Sequence, residues 1–108
     1  MNENFSVEPE VLKAKITSET ARINWLELQK FYAAGSVVQV AASLDLVEVA
    51  YAFSQDLKTQ VQLWLEQGLV DRVNDSQAAV WFEQKADLWA VVVSPWVLVQ
   101  DKAGAVLN

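Results

Sequence analysis

Apolar and polar positions divide this chain into short segments whose periods alternate between helix and strand. Val11, Leu12 and Ile16 predict a first amphipathic helix, with Pro9 suited to its opening turn and its end falling between Glu19 and Ile23. Asn24 and Glu27 then stand at capping-box spacing, and Ile23 and Leu28 occupy the flanking staple positions. Leu28, Phe31 and Tyr32 carry the buried face of that second helix, which Gly35 closes. Ser36 to Ala41 is short and rich in valine, which predicts a strand. Ser43 predicts an N-cap for a helix over Leu44 to Phe53, with Asp45 in its first turn and Leu46, Val49, Ala50 and Phe53 inward.

Ser54-Gln55-Asp56 reads as a tight turn. Leu57, Val61, Trp64 and Leu65 then fall on one face of a helix from Leu57 to Gln67, ended by Gly68. Leu69 to Val73 predicts a strand, and Asn74-Asp75-Ser76 a turn able to cap a helix over Gln77 to Lys85, with Trp81 and Phe82 buried. Leu88 to Val93 is a strand without alternation, so cover is expected on both faces. Trp96 to Gln100 continues as strand. Pro95 marks an edge, a bulge or a hairpin corner, and one kinked strand and a hairpin stand as equal readings of Leu88 to Gln100.

This order predicts an α+β fold: a winged-helix-like single domain over residues 9–100, with an N-terminal helix, a helical insertion in the wing and a small β-sheet. Flexible tails are expected over residues 1–8 and 101–108. Leu44 to Val73 reads as a helix-turn-helix running into a wing strand, with small Ala50 at the closest helix approach. In a DNA reader the second helix would enter the major groove, and the candidate contacts are Lys58, Thr59, Gln62 and Arg72.

Charge opposes that use. The chain holds eight basic against 14 acidic residues, a net charge of −6. Leu44 to Val73 holds five acids (Asp45, Glu48, Asp56, Glu66, Asp71) and two bases (Lys58, Arg72). Phosphate binding needs Lys and Arg to displace counterions, so nucleic acid is disfavoured as a partner, and an anionic membrane surface likewise. The apolar run Leu88 to Val99 is 12 residues, too short to span a bilayer. The opening MNENFSVEPE has no apolar core of a signal peptide, so a cytoplasmic protein is expected.

Catalytic chemistry has little to work with. Cysteine and histidine are absent, which excludes disulfides, Ser-His-Asp or Cys-His nucleophiles, and Cys/His zinc sites. The three glycines are scattered and build no phosphate loop. Asp45 and Glu48, at i and i+3 on one helix face, could share a proton or a cation, but a solvated acidic face with favourable placement in the helix dipole is by far the stronger reading of them. The expectation is no enzyme, no cofactor and no metal.

The blocks RINWLELQKFYAAG, SLDLVEVAYAFSQD and LWAVVVSPWVLVQ resemble those of domain-of-unknown-function family 2288, small bacterial proteins. The resemblance covers about Leu12 to Gln100. It implies no activity, cofactor or partner and carries over no site residues. The reading that remains is a protein-interaction module that binds a protein partner or self-associates as a homodimer. Trp89, Trp96, Val97 and Val99 are its candidate interface, because an apolar strand in so small a fold can need cover from a second chain. A DNA-binding regulator using residues 57–67 is the alternative. An acidic decoy of nucleic acid is a third idea, resting on net charge alone.

Overall fold

A computed structural model describes residues 8–102. The tails expected over 1–8 and 101–108 lie outside the described residues, apart from Glu8, Asp101 and Lys102. The order is α1 (Pro9–Glu19), β1 (Ala21–Asn24), α2 (Trp25–Ala33), β2 (Val37–Val40), α3 (Leu46–Ser54), α4 (Lys58–Glu66), β3 (Val70–Arg72), α5 (Asp75–Gln84), β4 (Asp87–Val93) and β5 (Trp96–Gln100). The strands form one sheet in the order β1-β4-β5-β2-β3. All neighbours are antiparallel except β2 and β5, which run parallel. The class is α+β, as expected.

Local chemistry explains where the elements begin and end. Pro9 opens α1 at a position whose N–H would have no partner anyway. The Asn24 side chain accepts from the Leu26 N–H at 3.0 Å and starts α2. The Asn74 side chain caps α5 through the Gln77 N–H at 2.8 Å. The cap of α3 is Asp45, not Ser43: its carboxylate accepts from Val47 N–H at 2.9 Å and Glu48 N–H at 3.4 Å. Four helices close in the same way, on a residue with positive φ: Gly35, Asp56, Gly68 and Lys85. In each, the next residue's N–H reaches back five positions, as Ser36 does to Phe31 and Leu69 to Trp64, both at 2.9 Å.

Two expected features are replaced. The first helix stops at Glu19, and Ala21 to Asn24 is edge strand β1, paired with β4 in the register Arg22↔Trp89. This strand owes its conformation to a distant partner and carries no alternation of its own. The wing also does not form as expected. The strands on either side of α5 are β3 and β4, yet β3 pairs with β2 at one edge while β4 pairs with β1 and β5. The apolar segment Leu88 to Gln100 folds on itself as the β4–β5 hairpin, with Ser94 and Pro95 in its turn. That hairpin takes the sheet centre and leaves β3 the edge.

Helices lie on both faces of the sheet. On one face, Trp25 and Leu28 of α2 and Ala78 and Trp81 of α5 pack with Leu88, Ala90, Val97 and Val99. On the other, Ile16 of α1 and Leu46, Val49 and Ala50 of α3 pack with Val38, Val40, Val91 and Leu98. Successive side chains of β2 and β5, and of β4 from Leu88 to Val91, thus enter different cores, which is why these strands lack an apolar–polar alternation; Val92, by contrast, is 63% exposed. Val97 and Val99, two expected interface residues, are buried by α2 and α5 and cannot meet a partner. Phe82, expected inside α5, is exposed, because the buried stripe runs through Ala78 and Trp81 instead.

Polar tethers fix the layers. Buried Gln100 donates through Nε2 to the carbonyls of Ala41 at 2.9 Å and Leu44 at 2.8 Å, holding the loop that leads into α3. Trp81 Nε1 donates to Asp101 at 3.2 Å, and Lys102 Nζ reaches the Leu44 carbonyl at 3.4 Å. The Tyr32 hydroxyl donates to Asp75, tying α2 to the first turn of α5.

Gln100→Leu removes both side-chain hydrogen bonds to the loop carbonyls of Ala41 and Leu44 and should destabilise the fold by about 2 kcal/mol in chemical denaturation. The Asp75 carboxylate, as acceptor and as a neighbouring negative charge, pushes the Tyr32 phenol above its ordinary range. An acid raised on folding adds stability below its unfolded value, about 10 for tyrosine, and loses it as pH rises through the folded value. Absorbance titration should therefore find Tyr32 ionising late, with Asp75→Asn moving it back toward the ordinary value.

Candidate functional site

α4 is the least embedded helix of the described residues. None of its side chains is buried, whereas α3, of equal length, buries Leu46, Val49, Ala50 and Ala52. The stripe expected to face the core divides: Val61 and Trp64 are half-buried, while Leu57 and Leu65 are 44% and 43% exposed. Leu63, on the opposite side, is 47% exposed. α4 has no side-chain cap, no acid in its first turn and no base in its last. It is held mainly by its ends, the tight turn from α3 and the Gly68 turn into β3.

Because α4 does not close onto the sheet, a groove of about 730 Å³ remains beside it. Its apolar surface comes from Val38 of β2, Val70 of β3, Phe53 of α3, and Val61 and Leu65 of α4. The β4–β5 turn and Trp96 close one side. The rim is charged, with Asp56 and Lys58 at the start of α4 and Asp71 and Arg72 on β3.

Three of the four rim charges are already engaged. Lys58 Nζ lies 2.7 Å from the Asp56 carboxylate, which favours the ammonium form and raises the Lys58 pKa. The Asp71 carboxylate accepts from the Arg72 backbone N–H at 2.8 Å. Arg72 sits opposite Val38 on the edge strand, and its guanidinium lies 5.4 Å from the Trp96 ring centroid. A Cβ on Gly35 would come within 4.0 Å of Arg72 Nη1, so the glycine turn also borders this group. Among the described residues no carboxylate lies within ion-pair distance of Arg72.

Arg72 and Trp96, expected to serve different functions, therefore share one wall of one groove. Trp89 is remote from it. It lies on the same sheet face under the Arg22 guanidinium, 5.3 Å from the ring centroid, beside edge strand β1. The candidate DNA contacts do not form a cationic face. Lys58 is paired with Asp56, Arg72 is stacked, and the Gln62 amide donates to Glu66 at 3.2 Å. Asp45 and Glu48 are likewise occupied, Asp45 as the cap of α3 and Glu48 in an ion pair with Lys13 at 3.0 Å. Among the described residues no group of three or more acidic side chains is placed to hold a metal ion. No helix among them is long and apolar enough to cross a membrane.

Residues 11–101 match the sequence profile described as "Protein of unknown function (DUF2288)". The chain belongs to this family. The DUF2288 fold seen here is also similar to the NMR solution structure of PA1075 from Pseudomonas aeruginosa. The two are 41% identical, with a TM-score of 0.77 and coverage of 100% of this chain and 98% of that one. No functionally curated protein matches the sequence.

If α4 contributes surface rather than core, its leucines are dispensable for folding. Leu63→Ser should change unfolding free energy by less than about 1 kcal/mol, whereas Leu98→Ala, in the sheet centre, should cost about 3 kcal/mol. Paired denaturant titrations of the two variants measure the difference.

Proposed function

We propose that this protein is a cytoplasmic protein-interaction module without catalytic activity of its own, and that α4 and the groove beside it are its docking surface. The observation that carries this reading is the unburied helix: α4 keeps Leu65 43% exposed along an apolar groove of about 730 Å³, and Leu57 and Leu63 44% and 47% exposed on its other sides. Three of the nine large apolar side chains exposed among the described residues sit on or at the start of this helix, next to a groove with a charged rim, a combination that suits a contact site. The partner is a second copy of the chain or another protein. Sedimentation equilibrium at high micromolar concentration separates these two.

DNA binding ranks below this reading. Its motivation is the α3–α4 helix-turn-helix order, but the cations that would grip phosphates are few, Lys58 is paired with Asp56, and the chain has a net charge of −6.

The test is crosslinked capture from the native cell lysate with nuclease present, comparing the wild-type chain with Leu65→Glu. A protein held by wild type, or a dimer of the chain, that is lost from Leu65→Glu is the expected result. Capture that disappears with nuclease, or that Leu65→Glu leaves unchanged, contradicts the proposal.

A further inference from the structure

We infer that the groove beside α4 takes a short linear peptide of a protein partner, carrying an Asp or Glu carboxylate next to apolar side chains, with Arg72 as the residue that grips the carboxylate. This rests on the interaction-module reading and adds the chemistry of the ligand.

Charge selects the ligand. The chain is acidic overall, so a cation held toward an apolar groove is the exception on its surface. Asp56 is neutralised by Lys58, and Asp71 is engaged by a backbone N–H. Asp71 keeps its charge on the same rim, and the Arg72 guanidinium is the groove's base with no carboxylate within ion-pair distance among the described residues.

Geometry selects a carboxylate. The Arg72 guanidinium, 5.4 Å from the Trp96 ring centroid, offers a planar fork of N–H donors that matches the two oxygens of a carboxylate. Its cation–π contact with Trp96 restricts the side chain before a ligand arrives, so less rotamer entropy is lost on binding. The half-buried ring also lowers the local dielectric and strengthens the ion pair. Val61, Leu65 and Phe53 supply apolar contact within reach of that charge. The groove volume, about 730 Å³, falls in the range of sites that hold small organic ligands, which suits a few side chains and not a whole domain face.

The edge of β3 argues against a strand-adding ligand. The Asp71 carboxylate covers the Arg72 N–H on this edge strand, a blocking device that discourages pairing with another strand. Recognition then runs through side chains, which places the specificity on the acid and its apolar neighbours.

Random linear peptides displayed on phage and selected on the intact chain provide the probe. They should converge on an Asp or Glu within two positions of apolar residues. Binding of the synthetic consensus peptide should weaken about tenfold or more with Arg72→Gln, and as much when the peptide acid is replaced by its amide. The two losses together should not add, since both remove one contact. Arg72→Lys, which keeps charge but not the plane, should fall between, and near-ultraviolet circular dichroism verifies that each variant is folded. Absence of any enriched peptide, a consensus without an acid, or equal binding to folded Arg72→Gln overturns the inference. A cellular partner lost from Leu65→Glu but retained by Arg72→Gln would refute this inference alone and leave the interaction-module reading standing.

Discussion

Strand β5 is apolar on both faces, and the rest of the structure is arranged to keep water from it. Val97 and Val99 point to one side and Leu98 to the other, all buried. A strand of this kind is stable only at the centre of a sheet with helices above and below. β4 and β2 flank it, α2 and α5 cover one face, and α1 and α3 cover the other. Gln100, the one buried polar residue among those described, ends the strand by holding the loop that delivers α3 to its place. Cover of β5 and orientation of the α3–α4 pair are therefore one constraint.

That cover is complete at α3 and incomplete at α4. The sheet gives α4 only half-buried contact through Val61 and Trp64, and the edge strand that follows is three residues long. The groove arises from this mismatch. Its chemistry comes from the sheet's order: placing β2 between β3 and β5 brings Arg72 within reach of Trp96. Membership of DUF2288 and likeness to PA1075 place the fold and leave the role to be argued from such local chemistry.

Much of the fold was legible because helix boundaries here are written in local chemistry. Asn24, Gly35, Gly68 and Asn74 each act at the boundary where the sequence places them. Ser43 misled by two residues because Asp45, also a strong cap, lies just beyond it. β1 and the wing were not legible, since strand partners are chosen by packing between distant segments. Leu57, Leu65 and Phe82 have the spacing of buried residues, but periodicity reports which face a residue shares, not whether anything covers that face. For the same reason Trp96 and Arg72 could be named singly from sequence, while their stacking required the sheet order.

α4 is held chiefly by its ends, with only Val61 and Trp64 half-buried, so that much of its surface is free for a partner. Native-state amide hydrogen exchange measures this residue by residue. The α4 amides should exchange through openings at least about 2 kcal/mol easier than those of β5 and α3 in the isolated protein. Protection of α4 equal to that of β5 would mean that the helix is an integral part of the core, and would contradict this reading.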